Sequence, residues 1–262
     1  MIRRLMRALV ASSPRGAVVV LRAVWIAGLL VLAACSGAGV RNDKDAARIN
    51  TQLGINYAQR GQYAAALEKL KRALAQDDAL PGAHAAIAFV YQNMNESAKA
   101  ERHYRRALEL QPDDPALKNN FGVFLCSRKR SEEAERLFLE AARDPRYGTP
   151  EAAWTNAGIC LKTQDPGKAE RYFREALQIK PDYREALAQM AGIAFRQQDY
   201  LRTRAFLQRY DLNKSATAEL LYMAVRTEAA LGDLSAAKAF ARRLKLEFPE
   251  SEEAASTFLN LE

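Results

Sequence analysis

Leu53-Gly54-Ile55-Asn56-Tyr57, followed by Ala66, returns as Ile87-Ala88-Phe89-Val90-Tyr91 with Ala100, and again as Phe121-Gly122-Val123-Phe124-Leu125 with Ala134. The second residue of that pentad recurs as Gly54, Ala88, Gly122, Gly158, Gly192 and Val225, at steps of 34, 34, 36, 34 and 33 residues. Three residues beyond it stand Tyr57, Tyr91, Leu125, Leu161, Phe195 and Glu228. A second series, Ala66, Ala100, Ala134, Ala169, Thr203 and Ala237, keeps the same beat. Two interleaved series with one period therefore count six units of a helical repeat array.

The step resembles the tetratricopeptide repeat. That resemblance implies an all-α fold, a right-handed superhelical solenoid of six helix pairs plus a C-terminal capping helix. The expected units are about 47–80, 81–114, 115–150, 151–184, 185–217 and 218–250, and residues 251–262 form the cap, its first turn acidic at Glu252 and Glu253. Gly61 ends a first helix by taking positive φ cheaply, and Pro112 and Pro181 stop second helices that cannot run through them. A solenoid grows by adding neighbours, so 47–250 counts as one array. The connection Arg143-Asp144-Pro145-Arg146-Tyr147-Gly148-Thr149-Pro150 is longer than its counterparts and reads as a functional loop or as a hinge between two groups of three repeats.

Ahead of the array, residues 1–34 read as an export signal: Arg3, Arg4, Arg7, Arg15 and Arg22 with no acid, then an apolar run from Ala23 to Leu32. A membrane span needs about 20 apolar residues, and this run is shorter. Leu32-Ala33-Ala34-Cys35 resembles the bacterial lipobox, which implies lipidation of Cys35 and a mature chain that begins there. Residues 35–46 are then a lipidated tether, and either Met1 or Met6 serves as the start. The 262-residue chain has 39 Lys+Arg against 31 Asp+Glu, but five of those cations lie in the signal. Lys and Arg elsewhere alternate with acids as solvated faces do, which argues against nucleic acid as a partner.

Catalytic signals are nearly absent. The two histidines, His84 and His103, sit at packing or surface positions of the second repeat, neither remaining cysteine has a histidine at a recognisable spacing, and no glycine loop resembles a phosphate cradle. We expect no enzyme, no cofactor, no metal and no small-molecule substrate. Cys126 and Cys160 fall at the twelfth and tenth positions of neighbouring first helices. Spacing alone does not fix their separation, so a disulfide stays open, with two buried thiols the preferred expectation.

In this repeat family, certain first-helix positions line a concave groove. The ninth positions here are Ile55, Phe89, Val123, Ile159 and Ile193, an apolar strip one residue wide. Gln59, Gln92, Asn93, Asn119, Lys162, Arg196 and Gln197 surround it and can meet a peptide backbone. The alternative is that the strip packs between neighbouring first helices. Asn120 and Asn156 occupy a position where asparagine is common, and carry no functional expectation.

Asn119-Asn120-Phe121-Gly122-Val123-Phe124-Leu125-Cys126, Glu133-Ala134-Glu135-Arg136-Leu137-Phe138 and Trp154-Thr155-Asn156-Ala157-Gly158, together with the lipobox, resemble the type IV pilus biogenesis/stability lipoproteins, the pilotins of the PilF/PilW family. The resemblance runs from Cys35 to about Pro249. It implies a non-enzymatic lipoprotein, held at the periplasmic face of the outer membrane by the lipid on Cys35, that binds the type IV pilus secretin and promotes its outer-membrane localisation and assembly. Two other roles use the same scaffold: an accessory of outer-membrane β-barrel assembly, and an adaptor for a periplasmic protease or peptidoglycan hydrolase.

Overall fold

The structure is a computed structural model that describes residues 43–257; the expectations at residues 1–42, Cys35 included, and at 258–262 lie outside it. The described residues hold thirteen helices in successive pairs and no strand. They are α1 (43–59), α2 (Tyr63–Gln76), α3 (Pro81–Asn93), α4 (Ser97–Leu110), α5 (Pro115–Ser127), α6 (Ser131–Arg143), α7 (Pro150–Leu161), α8 (Pro166–Ile179), α9 (Arg184–Arg196), α10 (Tyr200–Tyr210), α11 (Ala218–Ala230), α12 (Leu234–Glu247) and the short α13 (Glu252–Thr257). Residues 43–46, expected in the tether, belong to the first helix instead.

Local chemistry sets these boundaries. Pro81, Pro115, Pro150 and Pro166 open helices, where a missing N–H costs nothing and φ is already helical. Side-chain oxygens cap the starts of α5 (Asp114), α8 (Asp165), α10 (Asp199), α11 (Thr217) and α12 (Asp233) by accepting hydrogen bonds from first-turn N–H groups. Turns inside a pair pass through a positive-φ residue at Gly61, Asn95, Lys129, Gln198 and Gly232, three of them without glycine's freedom. The fourth pair turns without one.

Two compact units result, divided between Leu110 and Gln111. In the first, α1, α2 and α3 enclose Ala58, Ala66, Leu70, Ala73, Ala83, Ile87 and Val90, and α4 packs on α3. A Cβ on Gly54 would lie 2.4 Å from Leu70 Cγ, so the glycine sets how closely α1 approaches α2. In the second, α5 to α13 stack so that each second helix packs on the next first helix and the first helices neighbour one another. Gly158 lets the Phe173 ring come to 2.5 Å from where a Cβ would sit. Ala254 of α13 joins the core around Leu207, Leu220, Leu221 and Leu244, which closes the last pair.

The connection 143–150 is not a hinge between groups of three repeats. It lies inside the second unit, where α6 packs directly on α7 and Tyr147 and Trp154 cover Ala141, Ala142 and Ala153. Asp144 accepts from the Arg146 backbone N–H at 2.8 Å and from its guanidinium at 2.6 Å, while Arg146 Nη2 also donates to the Asp113 carbonyl at 3.0 Å. The Arg146 hydrogen bonds hold the Asp144 carboxyl down at about 2.

Candidate functional site

Among the described residues of the first unit, Phe89 is the largest exposed apolar side chain, at 43% exposure, because the buried face of α3 is built from Ala83, His84, Ile87, Ala88 and Val90 and leaves position 89 outside. Ile55 of α1 is half-buried and Gln59 exposed. Gln92 accepts a hydrogen bond from the Tyr104 hydroxyl at 3.1 Å, and Asn93 donates its amide to the Phe89 carbonyl at 2.8 Å. Of the polar residues expected beside the strip here, Gln59 is the one without a bond to the scaffold among the described residues. Ile49 and Leu53 are 62% and 41% exposed, whereas their register equivalents in later pairs, such as Ala83 and Ile87, are buried against a preceding helix.

In the second unit the expected strip is broken. Val123 is 39% exposed and Ile159 half-buried, but Ile193 is 8% exposed and packed with Trp154, Ile159, Phe173 and Met190. Large side chains of the preceding pair cover it, so Ile193 is core. Asn119 is also withdrawn from the surface: it is 8% exposed and accepts from the Asn156 amide at 3.0 Å. That pair joins α5 to α7 and gives Asn156 a packing role. Lys162 and Arg196 remain exposed at the ends of α7 and α9. Cys126 and Cys160 form a disulfide, with Cα atoms 5.7 Å apart, which replaces the expectation of two buried thiols.

The two histidines meet. His84 Nδ1 lies 3.0 Å from His103 Nδ1, and His84 Nε2 lies 3.2 Å from the Asp78 carbonyl. A carbonyl can only accept, so the Nε2–H tautomer of His84 satisfies Asp78, leaving its Nδ1 to accept from His103. Only one proton fits between the two Nδ1 atoms. Burial lowers both rings from the usual range, and His84 beside it helps bring His103 to about 4. Among the described residues no group of three or more His, Cys, Asp or Glu could hold a metal ion.

A pH dependence follows. Folded-state values below the unfolded value mean that the folded chain binds fewer protons, so stability is fully present above about pH 6.5 and declines as pH falls toward about 4. After allowance for solvent screening, the loss is on the order of 2 kcal/mol. Urea midpoints should drop more between pH 7 and pH 4.5 for wild type than for His103→Gln. Equal drops would show that the pair is energetically silent.

Paired helices, small contact residues and exposed first-helix side chains define a tetratricopeptide-repeat binding scaffold, and models described as tetratricopeptide repeat match residues 57–119 and 153–183. The type IV pilus assembly protein PilF of Pseudomonas aeruginosa is 30% identical over 239 residues, covering 90% of this chain and 95% of its own. A solved structure of P. aeruginosa PilF superposes with a TM-score of 0.75 at 29% identity, covering 83% of this chain and 99% of that one. The crystal structure of PilW, described as a widely conserved type IV pilus biogenesis factor, gives 0.71 at 30% identity, covering 81% and 98%. The chain belongs to the PilF/PilW family of type IV pilus biogenesis proteins.

Proposed function

We propose that this chain is a pilotin: a non-enzymatic lipoprotein, anchored to the outer membrane through lipid on Cys35, that binds the type IV pilus secretin and promotes its localisation and assembly. The observation that carries this reading is the similarity to PilF across 95% of that protein's length, which leaves the same scaffold for the same task. The export signal and Leu32-Ala33-Ala34-Cys35 supply the anchor. Phe89, with Ile55 and Gln59, offers the partner an apolar contact and a free amide in the first unit; Val123 and Ile159 offer a second apolar surface in the other.

Affinity capture of the secretin from solubilised outer membranes by tagged protein tests this role. Recovery of barrel-assembly proteins or wall hydrolases without secretin would replace it. The anchor is tested separately. Only a thiol receives the lipid, and several acyl chains hold firmly where one holds marginally, so Cys35→Ala should move the protein out of washed outer membranes. Ser36 is not the aspartate that typically retains lipoproteins at the inner membrane. Unchanged partitioning of Cys35→Ala would rule out this site.

A further inference from the structure

The face that α3 buries is bare on α1. Ala83 and Ile87 of α3 close against Ala66, Leu70 and Ala73 because α2 precedes them and packs on that side. No helix precedes α1 among the described residues, and the equivalents of Ala83 and Ile87 there are the exposed Ile49 and Leu53. Four residues apart, they share one side of the helix. Asn56 and Arg60 continue the line, seven residues beyond Ile49 and Leu53 respectively. Both are exposed: Asn56 accepts from the Gln52 amide at 3.3 Å, and the Arg60 guanidinium has no partner among the described residues. At the opposite end, Asp45 is paired with Arg48 at 3.8 Å. The strip is therefore apolar in the middle and ends in a free cation.

The position of the strip in the chain says what covers it. On the reading of Cys35 as the lipidated first residue, on which this inference rests, residues 36–42 alone separate the acyl chains from α1. They are fewer than the residues of any paired helix, so the mature chain has no helix of its own to lay against α1 as α2 lies against α3. The steps from Cys35 to Asp43 span at most about 28 Å, and Ile49 stands roughly 9 Å further along the helix. The strip is thus within reach of the bilayer, and the anchor keeps it there at an effective concentration high enough for a weak contact to form. An apolar strip closed by an arginine fits the boundary between headgroups and acyl chains, where leucine and isoleucine leave water and a guanidinium meets phosphate.

We infer that Ile49 and Leu53 dock α1 on the lipid surface, with Arg60 against a phospholipid phosphate. The lipid on Cys35 limits how far the first unit can travel from the membrane; this contact sets which way the unit faces.

The test uses the chain from Cys35 onward. Cys126 and Cys160 are joined, so Cys35 is its one free thiol and couples to maleimide lipid in phosphatidylethanolamine–phosphatidylglycerol vesicles, prepared with and without brominated acyl chains. The fluorescence added by Ile49→Trp should fall by at least half in the brominated vesicles, whereas that added by Ala75→Trp, at an exposed position of α2, should fall by less than a tenth. Leu53→Glu in the Ile49→Trp chain should abolish the quenching, and Arg60→Gln should reduce it. Circular dichroism verifies each fold, and the comparison of the two tryptophan positions stands without the charged variant. Equal quenching at both positions, or quenching that survives Leu53→Glu, would overturn the contact; a blue shift of Ile49→Trp that grows with surface density and shows no quenching would give the face to a second copy instead. Unchanged quenching in Arg60→Gln would remove the phosphate from the assignment. Because the coupling is chemical, the result does not depend on acylation in the cell: an unquenched Ile49→Trp removes this contact and leaves the anchor, while membrane retention of Cys35→Ala removes the anchor reading.

Discussion

Opening the Cys126–Cys160 disulfide is expected to lower the unfolding free energy by about 4 kcal/mol. The cysteines are 34 residues apart in sequence, and the cross-link denies the unfolded chain the conformations in which that loop is open. Loop-closure entropy for a ring of this size gives the estimate. It is a large share of the stability of a typical domain, about 5–15 kcal/mol. In a solenoid each pair is held by its neighbours, so the loss should concentrate at the α5–α8 pairs and spread outward from there. Denaturant unfolding with and without reductant measures it. The wild-type midpoint should fall to that of Cys126→Ser/Cys160→Ser, which should itself ignore reductant. Identical midpoints for oxidised and reduced wild type would show that the link contributes nothing.

Replacing Phe89 with Glu is expected to weaken partner binding by about 2 kcal/mol or more, roughly thirtyfold, with little change in helicity or melting. Position 89 lies outside the buried face of α3, so a carboxylate there stays solvated in the free protein. In a complex that covers the ring, the same carboxylate must lose water without a partner. Apolar area removed from water contributes about 25 cal/mol per Å² for the native ring. Titration of secretin fragments against wild type and Phe89→Glu gives the comparison. Equal affinities would move the contact to another surface, starting with Val123.

The alternation of small and large residues made the fold legible. Gly54, Gly122 and Gly158 announce close helix approaches, and Leu70, Phe138 and Phe173 fill them. Asn95 is a residue type that tolerates positive φ, but the turns at Lys129 and Gln198 carried no such signal, because there the local pair geometry holds an ordinary side chain in that conformation. Lateral relations were equally hidden. The twelfth and tenth positions give the register of Cys126 and Cys160 along their helices but not the distance across, and the Asn119–Asn156 bond likewise depends on a lateral spacing that sequence does not carry. Ile193 departs from the expected strip because the ninth position is surface only where the neighbouring pair leaves it uncovered, and Trp154 and Phe173 do not. His84 and His103 are 19 residues apart on different helices, a spacing that advertises nothing.

The proposed role is tested by the fraction of secretin recovered as high-mass rings from outer membranes of cells with and without this chain. Deletion should leave the secretin unassembled or outside the outer membrane, wild-type protein should restore the rings, and Phe89→Glu should restore them poorly. Normal rings in the deletion strain would contradict it.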